Sequence, residues 1–324
     1  MAHLIDMSNY RANMAHTDRV TPWHGLGNPL TVGAPLEEWA REAGMSHTIE
    51  KSRVAFRHTE GAGGVGVMDD RRVLYRSDTK SPLAVVSDGF KIVQPLDVLD
   101  FFKSLVSATG DYEMETAGVL NEGRKYWALA KYREALQFGN ENVLPYLLLA
   151  TACDGSMNSI AQHTSVCVVC NNTLEMSLGN AGAGTVKVRH TSHFNADAVK
   201  ARLNVGDNIA GYVDDVNMLI NKTINRENGV ELLVELVAKR DDTGEITNEK
   251  SVKHIVNEIM ISLARAPGHG LETRIDTAWG VMNAVTHYVD FKARARSDNN
   301  RFNSGQFGAG AKLKRDAFNA LAAA

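Results

Sequence analysis

The hydrophobic period of this chain becomes helical at Asn195 and stays so, and that change decides its class. Up to about residue 194, apolar residues alternate or run in short blocks; from Asn195 onward they recur at helical spacing. Alternation places side chains on two faces of a strand, whereas spacings of three and four build one stripe on a helix. Ser46 to His58 alternates, Val65 to Met68 and Arg72 to Ser77 read as strands around an Asp69-Asp70 turn, and Pro82 to Val86 is another short strand. Tyr112 to Leu120 and Arg124 to Tyr132 form a hairpin around Asn121-Glu122-Gly123, where glycine supplies the positive φ of a tight reversal. Tyr146 to Cys153 is a continuous apolar run, the mark of a buried strand. Val166 to Val169 and Thr185 to His190 follow as strands, with a helical turn expected at Leu174 to Leu178.

Few helices interrupt this part. Leu36 to Ala43 is amphipathic and closed by Gly44, and a second helix starts at Gln94-Pro95 and ends at Gly110. Beyond Asn195 the pattern marks four helices. They carry Ile209, Val213, Val216 and Ile220; Val230 to Val237; Val252, Ile255, Ile259 and Leu263; and Ile275, Trp279, Met282, Val285 and Val289. The third is opened by Thr247 or Ser251 as its cap. After a flexible break at residues 304–310, a short terminal helix is expected. Strands first and helices afterwards imply an α+β class. The expected architecture is an antiparallel sheet with packed helices over 1–194 and a helical domain with a basic end over 195–324.

A chain of 324 residues accommodates two domains. Its 44% hydrophobic and 23% charged residues are an ordinary globular balance, and a formal charge of -3 excludes a wholly basic binder while permitting a local basic face. Three clustered cysteines make no disulfide framework and suit a reducing compartment. The N-terminus lacks a signal-peptide pattern, and no window approaches ~18 consecutive apolar residues. A soluble, cytoplasmic protein is expected.

Cys153 to Leu174 concentrates all three cysteines with a carboxylate, a histidine and several amides. Polar groups at that density either satisfy one another in a buried network or face a ligand. Asp154, His163 and Cys170, with Ser156, are the residue types of an orienter, base and nucleophile, although no protease or nucleophile-elbow signature surrounds them. The structural alternative is a hydrogen-bonded set in which Asp154, Asn158, Asn171, Asn172 and Thr173 fix turns. Cys167 and Cys170 with His190 and His193 have paired two-residue gaps that suit zinc. On a strand, however, positions 167 and 170 face opposite ways, so no metal is assigned. Glycine-rich segments at 61–66 and 25–30 lack the strand–helix context and the Lys-Ser/Thr of nucleotide loops, and no cofactor is expected.

Several motifs recur in fixed order in one family: WHGLG (23–27), ETAG (115–118), CDGS (153–156), VVCNNTL (168–174), RHT (189–191) and FGAGAKLKRDAF (307–318). Through them the chain resembles the phage/plasmid-like protein family, domain of unknown function nine-three-two, over nearly its whole length. The resemblance implies mobile-element biology and a bacterial host cell, and it carries no catalytic residue over. The family usually has His before the Asp where this chain has Cys153-Asp154, and Arg at the place of Cys167, which weighs against a family-wide metal site.

Basic and aromatic residues interleave on the predicted strands. Arg53 and Arg57 share a face; Arg71, Arg72, Tyr75 and Arg76 cluster on the next hairpin; Lys91, Arg124, Tyr126 and Lys131 continue the pattern. Solvated strand faces look like this too, but cations neutralise phosphates and aromatic faces stack bases. The order helix, antiparallel strands, helix, hairpin is similar to ring-forming single-strand annealing proteins. Together these imply a phage or plasmid protein that binds nucleic acid, single-stranded DNA above all, without ATP, in recombination or replication, as a homo-oligomer with a ring as the implied arrangement. Arg53, Arg57, Arg72, Lys91, Arg124 and Lys131 are the expected phosphate contacts, and Tyr75 and Tyr126 the stacking residues. Two other readings stay open: a hydrolase using the 153–174 cluster, and a host-directed interaction protein that counters defence.

Overall fold

A computed structural model of the chain describes residues 5–8, 10–17, 26–59, 63–167, 173–175, 185–203, 205–297, 300–301, 304–305 and 308–324. It shows an α+β protein, sheet-rich in its first part and helical in its second, as the change of period requires.

The main sheet has nine strands among the described residues. Its central strands are β6 (Tyr112–Leu120), β7 (Lys125–Tyr132) and β9 (Glu141–Ala152), followed by β10 (Ser159–Cys167). Beyond β10 lie β11 (Thr173–Glu175) and β12 (Thr185–Val188), which pair with different stretches of it. On the far side β6 pairs with β1 (Met14–Thr17), and β1 with β2 (Asn28–Leu30); β8 (Leu136–Phe138) pairs with the start of β9. All pairs are antiparallel except β1 with β2, so the sheet is mixed. The segment 173–175 is strand, not the expected helical turn, because it pairs with Thr164–Val166 of β10. A second sheet orders β3 (Ile49–His58), β4 (Gly64–Arg76) and β5 (Pro82–Ser87). The two strands expected around Asp69-Asp70 are one strand, β4, with an irregularity at that place.

Helix α1 (Leu36–Glu42) and helix α2 (Pro95–Thr109) pack with these sheets. Pro95 opens α2, where its missing N–H costs nothing, and Gly110 closes it at φ 68°. The Gln94 N–H donates to Asp97 Oδ2 at 2.8 Å, and the Gln94 amide bridges both backbone groups of Ile49, tying the helix start to β3.

The apolar residues divide into two main cores. The first holds Trp39, Phe101, Phe102, Leu147, Leu149 and, from helix α3 (Ala196–Leu203), Val199 and Leu203. The second is built by α4 (Val205–Asn221), α5 (Arg226–Val237), α6 (Glu249–Arg265), α7 (Ala278–His287) and α8 (Ala309–Ala323). Phe138 and Val143 of β8 and β9 reach into it. Helix α3 therefore belongs with the sheet, although it lies beyond residue 194. The third C-terminal helix is capped at Asn248, and Thr277 caps α7 through its hydroxyl, which accepts the Gly280 N–H at 3.0 Å. Among the described residues no helix is long and apolar enough to cross a membrane.

Candidate nucleic-acid interface

Strand β5 covers only part of the β3–β4 hairpin. It pairs with Arg71–Tyr75, so residues 54–58 and 64–68 pair with each other alone, as a two-stranded ribbon. The ribbon starts at a break in register: Arg53 faces Arg72, but Val54 faces Met68, and Asp69, Asp70 and Arg71 have no partner on β3. Such irregularities increase a strand's twist and re-aim its side chains.

The register sorts the ribbon's side chains. One face carries Val54, Phe56 and His58 opposite Met68, Gly66 and Gly64; the other carries Ala55 and Arg57 opposite Val67 and Val65, continuing from Arg53 opposite Arg72. The rings lie over the glycines: a Cβ at Gly66 would fall 2.5 Å from the Phe56 ring, and one at Gly64 2.5 Å from His58. Phe56 is 50% exposed and Val65 67%. A hairpin normally hides an apolar face on a core, since an isolated two-stranded ribbon is marginally stable. Here both faces are open. Arg53 and Arg57 are exposed and have no ion pair among the described residues, whereas Arg71 leans on its neighbour Asp70 and Arg72 pairs with Asp88 at 3.0 Å.

The other expected contacts divide. Tyr75 sits opposite Glu50, whose hydrogen bond raises the phenol's pKa, and Lys80 lies 5.8 Å from the ring centroid. Lys91 and Arg124 border the same three-stranded sheet. The Arg124 Nε donates to the Leu83 carbonyl of β5 at 3.1 Å, and Lys91 follows β5 with its N–H on the His190 carbonyl. Lys131 is remote from them, near the opposite end of β7, 3.9 Å from Glu115.

Two expectations are overturned. Tyr126 is wholly buried on a central strand, its hydroxyl 2.8 Å from His47 Nε2, and burial pushes its phenol well above the usual range; the ring is not available to stack. Arg76 is not part of a basic surface either. It is 1% exposed and bridges Asp6 at 2.5 Å and Asp78 at 2.8 Å. Burial alone would raise the Asp6 carboxyl, but the hydrogen bonds from Arg76, Asn13 and Ser8 outweigh it and hold the pKa below the ordinary value. Nothing in the sequence flags this burial of Arg76, because its partner Asp6 lies seventy residues away.

The polar stretch from Cys153 resolves into a loop and a buried strand. Asp154 Oδ1 accepts the Ser156 N–H at 2.9 Å, a turn-fixing contact. The Cys153 thiol donates to the Gly123 carbonyl at 3.3 Å, and burial pushes its pKa up to about 12. β10 is polar yet buried: Ser159 bonds Thr151 at 2.7 Å and Ser165 bonds Tyr212 at 2.8 Å. His163 is fully buried among them, and neither ring nitrogen meets a well-aligned partner. Burial pulls its pKa down to about 4, and a loose approach of the Leu203 backbone offsets only part of that. His163 pairs with Leu147, five residues along β9 from Ala152 and so roughly 17 Å from the loop of Asp154. The two do not meet, and Ser156 is exposed on the loop. Cys170, Asn171 and Asn172 lie outside the described residues; Thr173 begins β11 opposite Val166.

Of the four residues with zinc-like spacing, Cys170 lies outside the described residues. His190 stacks on Phe90 with centroids 4.4 Å apart, and its ring nitrogens face the carbonyls of Lys91 at 3.0 Å and Met157 at 3.2 Å. His193 is exposed, and no group of three or more His, Cys, Asp or Glu that would hold a metal occurs among the described residues. His190 instead pins the loop after β9 to the segment after β5.

These features define an α+β protein with a mixed sheet, a helical C-terminal part and an exposed cationic ribbon. The chain belongs to the family described as domain of unknown function (DUF932), whose model matches residues 82–305, from β5 onward. No curated protein and no solved structure matches the chain.

Proposed function

We propose that the chain binds single-stranded nucleic acid, single-stranded DNA above all, through the β3–β4 ribbon and the cations beside it. The observation that carries this reading is the ribbon itself: Arg53 and Arg57 exposed without ion pairs among the described residues, and on its other face a half-exposed Phe56 ring backed by glycine. Arginines neutralise phosphates and release counterions, and a ring open on one side stacks a base of any sequence. Arg72, Lys91 and Arg124 extend the cationic path along β5. The exposed Val65, Val67 and Val85 suit contacts between copies in a homo-oligomer, since apolar patches of this kind mark interaction surfaces. The setting is a phage or plasmid protein in the cytoplasm of a bacterial host, acting in recombination or replication without ATP.

The test is a fluorescence-anisotropy titration of labelled oligo-dT over a salt series, with size-exclusion mass on the same preparation. Affinity is expected to fall steeply with salt, and the double variant Arg53→Ala/Arg57→Ala to lower the log–log salt slope by about 0.7 for each phosphate it no longer neutralises. Phe56→Ala is expected to cost about 1–3 kcal/mol, the worth of one base stack. Wild-type protein that ignores single strands at low salt, or variants that bind as well as wild type, would sink the reading.

A further inference from the structure

On the face of the sheet that bears Lys131, near the end of β6 away from the ribbon, Glu115 is the extra residue of a β-bulge. Met114 faces Ala130 and Thr116 faces Leu129, so Glu115 has no partner on β7. Bulges re-aim a side chain and are frequent beside functional sites. Glu115 is 9% exposed and borders a cavity of about 470 Å³, also lined by Thr17, Val32, Glu113, Met114, Lys131 and Arg133. That volume lies within the range of small-ligand sites, roughly 300–1,000 Å³.

The carboxylate is short of partners. Tyr146 donates its hydroxyl to Oε1 at 3.0 Å, and Lys131 Nζ stands 3.9 Å from Oε2, beyond hydrogen-bond reach. An ionised carboxylate has about four acceptor sites; among the described residues only one is used. Burial lifts this carboxyl above its ordinary value, Tyr146 and Lys131 oppose it only in part, and the nearby Glu113 charge adds to the rise. The cavity thus joins an under-bonded carboxylate, two apolar side chains, Thr17 and two cations, with a second carboxylate, Glu113, opposite Lys131 on the neighbouring strand.

We propose that this cavity is a nucleotide site, in which Glu115 accepts the N–H edge of a guanine base and Lys131 and Arg133 hold its phosphate. Guanine presents two adjacent N–H donors on one edge, which match the two oxygens of a carboxylate. Adenine, cytosine and uracil each set an acceptor next to their donor and would leave Glu115 facing a lone pair. Val32 and Met114 supply the apolar contact that a base plane takes. The ligand is either a free guanine mononucleotide or one guanine nucleotide splayed out of a strand. The site is separate from the ribbon and does not depend on it.

Isothermal titration calorimetry with GMP, AMP, CMP, UMP, guanosine and inorganic phosphate tests this. GMP is expected to bind about tenfold to a hundredfold more tightly than the other three mononucleotides, the discrimination of one bidentate pair. Glu115→Gln is expected to erase that preference, because an amide offers one acceptor where the carboxylate offers two. Lys131→Met is expected to weaken GMP and leave guanosine unchanged, and it carries the test if Glu115→Gln fails to fold in a thermal melt. Short oligonucleotides with a single guanine, used as competitors of GMP, separate the sources. Competition that needs Glu115 assigns the strand nucleotide and its absence the free one, and either supports the site. Arg53→Ala/Arg57→Ala is expected to leave GMP binding intact, so failure of the ribbon reading and failure of this one are distinguishable. No GMP binding, equal binding of all four mononucleotides, or equal competition by phosphate alone overturns the proposal.

Discussion

His163 shows how much one side chain determines. It is sealed between β9, β10 and α3, lacks a well-aligned partner, and is held neutral with its pKa near 4 rather than 6.5. Between those values the unfolded chain binds a proton that the folded chain refuses. The folded state therefore keeps its full stability above about pH 6.5 and loses it as pH falls toward 4, by about 3 kcal/mol for this group. His163→Leu, of similar bulk and without a proton to gain, is expected to flatten that loss, read from urea midpoints at pH 7 and pH 4.5. An equal acid loss in the variant would mean that other groups carry the titration. At this scale the sequence was partly legible. The density of polar residues from 153 to 174 required either a network or a ligand. β10 carries a buried network through Ser159, Thr151, Ser165 and Tyr212, which is not the expected set of Asp154, Asn158, Asn171, Asn172 and Thr173, and Asn171 and Asn172 lie outside the described residues. Burial was not legible: Tyr126 and Arg76 look like surface contacts in a basic, aromatic strand, and only the packing of distant segments hides them. Glu115 stands within ETAG with nothing local to mark it, because a bulge is invisible until the partner strand is in place.

The ribbon is the element on which the functional reading rests. Its residues 54–58 and 64–68 bury little and pair only with one another, while the base of the hairpin is held by β5, Ile49 and Leu74. Deleting residues 54–68 joins Arg53 to Arg72 through Asp69, Asp70 and Arg71, a three-residue connection within the usual hairpin range. The shortened protein is expected to melt within the ~1 kcal/mol scatter of surface changes and to lose single-strand binding. Circular dichroism and anisotropy read the two outcomes, and a collapse of the melt would show that the ribbon supports the fold. The extended run expected over Ser46 to His58 is strand from Ile49 onward, and the reversal expected at 61–64 lies largely outside the described residues. Asp69-Asp70 reads locally as a turn, yet pairing on both sides carries the strand through it. The segment at 174 went the other way for the same reason: it is too short for its own period to decide, and β10 recruits it as strand.

For the whole molecule, the joint between sheet and helices is a buried charge cluster. Glu141, fully buried at the start of β9, accepts from Thr273 Oγ1 at 3.0 Å, Trp279 Nε1 at 3.0 Å and the Arg274 guanidinium. Removing one partner of such a pair strands a charge in low dielectric, whereas removing both relieves it. Arg274→Met is expected to cost about 3–5 kcal/mol. The double variant Arg274→Met/Glu141→Leu is expected to recover part of that, measured by urea unfolding of the two. Equal losses in single and double variants would show that Glu141 matters through Trp279 and Thr273 rather than through its charge.

The sequence by itself determined the class, because period depends directly on which residues are apolar: alternation gave strands, helical spacing gave α4 to α7, and Pro95 and Gly110 bounded α2. It also marked Arg53 and Arg57 as neighbours on one strand face. Tertiary structure alone decided which polar groups are inside, which cations lack ion pairs, and which carboxyl opens on a cavity. Those properties depend on partners far apart in the chain, Asp6 with Arg76 and Glu141 with Arg274, and no local pattern encodes a distance of that kind.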